Sequence, residues 1–163
     1  MSNLKQISIY TRGITTASGA GGYGAILLYE NHRKELSGGF QLTTNNRMDI
    51  ITAIESLKAL KTRCKVMLYN NNGYLVDAIA NNWALRWQAN NWKNSDKKPT
   101  ANVDLWEQLL QLCSQHDVEF IRIKQCAGNQ EYQRCNYIAR QAANQQNLPP
   151  DEGYQRLTLL GKP

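Results

Sequence analysis

The sequence predicts an α/β fold, a mixed sheet with helices packed on its faces. Two observations carry this. The N-terminal part reads as three strands joined by turns, and beyond it short apolar strands alternate with helical patterns. A chain of 163 residues, 42% hydrophobic and 20% charged, can bury a core without disulfide or metal staples. With no internal repeat and no low-complexity linker, one domain over residues 1–163 is expected.

Each element has its own signal. Ile7 to Thr11 alternates as a strand, with Arg12-Gly13 as its end. GAGGYG reads as a turn rather than a phosphate cradle, because it precedes a strand and lacks the GK[ST] that a phosphate loop carries. Tyr23 to Tyr29 and Glu35 to Leu42 form the next two strands, with Asn31-His32 as the hairpin turn. Thr43-Thr44-Asn45-Asn46 supplies cap side chains to a helix whose apolar face is Ile50, Ala53, Ile54, Leu57 and Leu60. CKVMLY (Cys64 to Tyr69) is a short strand stopped by Asn70-Asn71-Asn72-Gly73. Helical patterns follow over Tyr74 to Asn81, around Trp83 to Trp92, and over Val103 to Cys113. Val118 to Ile123 reads as the last strand and Glu131 to Ala143 as the last helix.

Composition narrows the function. A net charge of +6 favours an anionic partner such as nucleic acid. The four cysteines form no CxxC pair and Cys126 and Cys135 have no neighbouring histidine, so reduced, unligated thiols are expected. His32 and His116 have no serine or cysteine partner at hydrolase spacing and read as surface residues. No apolar run is long enough for a bilayer and MSNLKQ opens no signal peptide, so no membrane partner and a cytoplasmic location are expected. Arg12, a charge at the mouth of a core strand, is either a solvated cap or part of a site.

The runs GGYGAIL, TTNNRM, KVMLY, DKKPTANVDLW and QRCNYIAR, in this order and with GYQ in the tail, resemble the bacterial ribonuclease H type 1 family (ribonuclease HI) over almost the whole chain. The resemblance implies a five-stranded mixed sheet of three antiparallel and then parallel strands, flanked by helices. It also implies cleavage of the RNA strand of RNA–DNA hybrids, with two Mg²⁺ or Mn²⁺ ions held by four carboxylates and a histidine on a nearby loop.

Carried over position by position, the first carboxylate is replaced by Arg12, and the second is Asp49, shorter by one methylene. The third and fourth are replaced by Asn71 and Asn136, and the loop histidine by Cys126. Divalent ions need hard anionic oxygens, and Asp49 alone supplies one. The expectation from this departure is a catalytically inactive homologue, not an enzyme, with no metal or other cofactor. Arg12 is expected to hydrogen-bond Asp49 in place of a metal.

Binding is judged separately. The family contacts nucleic acid through residues matched here by Thr44, Asn45, Asn46 and Asn102, although Thr44 to Asn46 also reads as a helix cap. The Trp-rich protrusion keeps Trp83, Arg86, Lys93, Lys97 and Lys98, and Trp106 follows it. Its centre has lost charge, so binding to RNA–DNA hybrid or another duplex is expected to be weaker than in the family. The tryptophans stack on sugars or pack the protrusion. Two alternatives remain: a protein-interaction module on the same fold, and weak residual metal-dependent hydrolysis of RNA in hybrids.

Overall fold

The structure is a computed structural model and describes residues 4–93 and 100–159. Its elements are strands β1 (Lys5–Thr15), β2 (Gly21–Tyr29) and β3 (His32–Phe40), helix α1 (Asn45–Lys58), strand β4 (Cys64–Asn70), helices α2 (Gly73–Ala80), α3 (Trp83–Ala89) and α4 (Val103–Gln115), strand β5 (Asp117–Arg122), and helices α5 (Gln130–Ala143) and α6 (Glu152–Leu159). The sheet order is β3-β2-β1-β4-β5. β1–β2 and β2–β3 pair antiparallel, whereas β1–β4 and β4–β5 pair parallel. The predicted mixed five-stranded sheet is therefore present.

Strand alternation assigns the two faces. Ile7 and Ile9 of β1, Ala25 and Leu27 of β2 and Val66 and Leu68 of β4 form the main core with Ile50, Ile54 and Leu57 of α1 and Leu105, Trp106 and Leu109 of α4. The opposite parity, Tyr10, Ile26 and Leu28, packs on Cys135 and Ile138 of α5. α5 lies so close to β2 that a Cβ on Gly24 would stand 2.6 Å from the Cys135 carbonyl oxygen. All four cysteines are free, and burial pushes the Cys113 and Cys135 thiols up to about 12.

Three expectations are corrected. β1 does not stop at Arg12-Gly13, because its ladder with β2 continues through Gly13↔Tyr23 to Thr15↔Gly21. Helix α6 was not expected. Its signal is Pro-Pro-Asp-Glu, with the Asp151 side chain accepting from the Tyr154 amide and its carbonyl from the Gln155 amide. His116 is not a surface residue: it is 7% exposed, and its Nδ1 accepts a 3.1 Å hydrogen bond from the Cys64 amide at the start of β4.

Burial, and then the charge of Arg63, lowers the His116 pKa. The unfolded imidazole takes up a proton near pH 6.5, before the folded one does, so its stabilising bond is complete above that pH and lost as pH falls through the folded value. Urea midpoints measured across that window are expected to fall with pH in the wild type, and to fall less in His116→Asn.

Candidate active site and nucleic-acid interface

Three chain segments meet at one end of the sheet. β1 brings Thr11, Arg12 and Gly13, the turn after β4 brings Asn70, Asn71 and Asn72, and the first turns of α1 bring Asp49. α5 adds Tyr132 and Asn136 from the other face. Gly13 permits the approach: a Cβ there would stand 2.6 Å from the Asp49 backbone nitrogen.

Asp49 is 2% exposed and both of its oxygens are engaged. Oδ1 accepts from the Gly13 amide at 2.8 Å and from Asn70 Nδ2 at 3.1 Å, and Oδ2 accepts from Asn72 Nδ2 at 2.9 Å. Burial raises its pKa, outweighing these bonds and the nearby positive charge of Arg12. Asn72 is itself fixed, because its Oδ1 caps α2 at the Tyr74 amide.

Arg12 lies close by but faces the other way. Its Nη1 donates to Asn71 Oδ1 at 3.1 Å and its Nε makes a longer 3.4 Å bond to Asn136 Oδ1. Its Cζ stands 5.6 Å over the Tyr132 ring. Burial pushes the Tyr132 phenol up to about 12, and the neighbouring Cys126 adds to the rise. The expected Arg12–Asp49 hydrogen bond is absent, and strand parity is the reason. Arg12 shares the α5 side with Tyr10, whereas Asp49 rises from α1 on the side of Thr11 and Gly13.

Arg12, Asp49, Asn71, Cys126 and Asn136 are thus brought together as the motifs imply. As a donor set they do not fit two divalent ions. Hard cations need anionic oxygens, and here one carboxylate is enclosed by N–H donors beside a guanidinium. Among the described residues, no three His, Cys, Asp or Glu side chains form a metal-binding group.

The predicted binding residues differ in their surroundings. Thr44 caps α1 by accepting from the Arg47 amide, and Asn45 and Asn46 are exposed beside it, accepting from Thr15 Oγ1 and Asn72 Nδ2. Asn102 holds a left-handed backbone before α4, and its Oδ1 accepts from Arg47 Nη1 at 3.2 Å. Arg86 and Lys93 are exposed, and Arg86 donates to the Asn81 carbonyl. Lys97 and Lys98 lie outside the described residues.

The tryptophans require a correction. Trp106 is fully buried, with Trp87 at 5.8 Å and Tyr74 at 5.8 Å in edge contacts, so its ring cannot reach a sugar. Trp83, Trp87 and Trp92 are half-buried against the same core. Packing consumes the Trp106 ring.

The sequence reading missed Arg47. Although 1% exposed, it bonds Asp151 through Nε at 2.7 Å and Nη2 at 3.0 Å, and Asp104 at 3.0 and 2.7 Å. Thr43 adds a 2.7 Å bond to Asp151. This network ties the first turn of α1 to α4 and to the segment entering α6. The only sequence signal is an arginine at a helical position that faces the core.

Comparison with known proteins places this geometry. The RNase H family model matches residues 4–144. Ribonuclease H of Rippkaea orientalis is 53% identical over 152 residues, covering 93% of each chain. Ribonuclease H of Syntrophus aciditrophicus is 51% identical, covering 92% of this chain and 87% of that one. Among solved structures, LC9-RNase H1, described as a type 1 RNase H with the type 2 active-site motif, superposes with TM-score 0.77 at 24% identity, covering 97% of this chain and 82% of that one. LC11-RNase H1, solved in complex with RNA/DNA hybrid, gives 0.64 at 18% identity over 85% of this chain and 96% of that one.

These relatives overturn the expectation of a catalytically inactive chain that is not an enzyme, since proteins sharing half of its residues over nine-tenths of its length carry an enzyme's name. The expectation of no cofactor falls with it, because it rested on the same substitutions. The misfit to two ions describes these side chains, not what the reaction requires. Among the described residues no helix is long and apolar enough to cross a membrane. With the matched family model spanning residues 4–144 and relatives above 50% identity, the chain belongs to the RNase H family.

Proposed function

We propose that this chain binds RNA–DNA hybrids and hydrolyses the RNA strand. The observation that carries the reading is Asp49. In a chain 53% identical to a named Ribonuclease H, a buried carboxylate stands at the end of the sheet where β1, β4 and α1 converge. Hydrolysis adds water at phosphorus and breaks a phosphodiester bond, and the proton released needs an acceptor. Among the described residues, Asp49 is the carboxylate at this end of the sheet. Its fixed hydrogen bonds to Gly13, Asn70 and Asn72 hold it in one orientation.

Hybrid is the partner favoured by the family and by the LC11-RNase H1 complex. Thr44, Asn45 and Asn46 present hydroxyl and amide groups beside Asp49, suited to phosphate and 2′-hydroxyl contacts. Exposed Arg86 and Lys93 supply charge from the α3 side. Among the described residues few cations line this path, so binding is expected to depend only moderately on salt.

A substrate panel tests the reading. Hybrid, double-stranded RNA and double-stranded DNA, each labelled on one strand, are incubated with the protein in Mg²⁺, in Mn²⁺ and in EDTA. Shortening of the hybrid's RNA strand, with its DNA strand and both other duplexes intact, is the expected pattern. Equal attack on double-stranded RNA would contradict the assignment.

A further inference from the structure

The Asn72 side chain is committed at every polar atom. Its Oδ1 accepts from the Tyr74 amide at 3.0 Å and caps α2, which fixes the way the amide turns. Its Nδ2 then has two hydrogens, and each has its own acceptor: Asp49 Oδ2 at 2.9 Å and Asn46 Oδ1 at 2.9 Å. The Asn72 backbone amide donates to Asn70 Oδ1 at 2.7 Å. Asn70 is fully buried and in turn donates to Asp49 Oδ1 at 3.1 Å and to Thr11 Oγ1 at 2.9 Å, so the bridge stands on a fixed base.

The two ends of the bridge differ. Asp49 is enclosed, whereas Asn46 is exposed. Because Asn72 takes the Asn46 oxygen, the Asn46 NH₂ is the part of that amide turned to donate elsewhere. The two lie three residues apart on α1, so the helix sets their backbone separation and Asn72 sets their side chains. Capping alone does not call for asparagine here. Serine caps a helix equally well, but its hydroxyl has one hydrogen and serves only one of the two acceptors.

We infer that Asn72 is a positioning residue, which locks the nucleic-acid contact Asn46 to the Asp49 carboxylate so that a strand held by one is presented in register to the other. The inference rests on the reading that hybrid is bound and cut at this end of the sheet. It adds what keeps contact and proton acceptor in one geometry.

Cleavage kinetics on hybrid are measured for wild type, Asn72→Ser, Asn46→Ala and the double variant, with thermal midpoints confirming the fold. Asn72→Ser keeps the cap but breaks the link, whichever acceptor its hydroxyl retains. Its kcat is expected to fall about tenfold with KM changed less than about threefold. Asn46→Ala should lower kcat/KM about fivefold in the wild type and less than about twofold in Asn72→Ser, because an unlocked Asn46 contributes little. A wild-type kcat in Asn72→Ser, or equal effects of Asn46→Ala in both backgrounds, would leave Asn72 as a cap and overturn the inference.

If the wild type cut no hybrid, the proposed function would fail while the link could still be judged. In ¹⁵N-labelled protein the Asn72 side-chain NH₂ resonances, assigned through its own backbone, should move in both Asn46→Ala and Asp49→Asn. Movement in only one of them, or in neither, would overturn the link. The same spectra decide the matter if Asn72→Ser does not fold.

Discussion

Arg47→Ala is expected to lower the unfolding free energy by about 3–5 kcal/mol, because removing one partner of a buried ion pair leaves the other uncompensated. Asp151 is 5% exposed and would keep only Thr43 and the start of α6 as donors. Asp104 is 41% exposed and can rehydrate, so Asp151 carries most of the loss. Burial alone would raise the Asp151 pKa, but its bonds from Arg47 and Thr43 and the charge of Arg47 lower it below the usual carboxylate value. A depressed folded pKa contributes stability above about pH 3.9, the unfolded value, and that stability is lost as pH falls through the folded value. Urea denaturation at neutral pH checks the main effect. A loss below about 1 kcal/mol would mean that Asp151 finds other partners. Replacing Arg47 and Asp151 together by apolar residues should cost less than Arg47→Ala alone.

Trp106→Ala is expected to cost about 3–5 kcal/mol, the range for emptying a large buried aromatic site. The ring is fully buried between Tyr74 and Trp87, and its removal leaves a cavity between α2, α3 and α4. The same experiment separates packing from recognition. Trp106→Phe keeps much of the volume, so it should lose less stability and leave hybrid affinity unchanged. A well-folded Trp106→Phe with affinity reduced about tenfold or more, the scale of a stacked base, would restore the ring as a contact.

Much of the fold was legible because its signals are local. Alternation in Ile7 to Thr11, the apolar face of α1 and the cap at Thr44 are each written within a few residues. The motifs also brought Arg12, Asp49, Asn71 and Asn136 to one place, as the structure does. What escaped the reading depends on long-range geometry. Arg47 meets its partners 57 and 104 residues away, and no local pattern distinguishes it from a surface arginine. The partner of Arg12 was readable in principle, since Tyr10 and Arg12 share a strand parity that Gly13 does not. Charge bookkeeping overrode that parity and paired Arg12 with Asp49. The same bookkeeping implied catalytic silence, although donor counts at a few positions weigh less than half-identity to named enzymes over nine-tenths of the chain. Trp106 and His116 were misplaced because residue type alone does not say which side of a helix or loop closes over the core.

The most direct test of the central claim compares wild type with Asp49→Ala on hybrid labelled in its RNA strand, over a prolonged time course with Mg²⁺ or Mn²⁺. RNA cleavage by the wild type, slowed at least about 100-fold in Asp49→Ala with hybrid affinity preserved, is the predicted result. An RNA strand that stays intact with the wild type, or is cut equally fast by Asp49→Ala, would contradict the account.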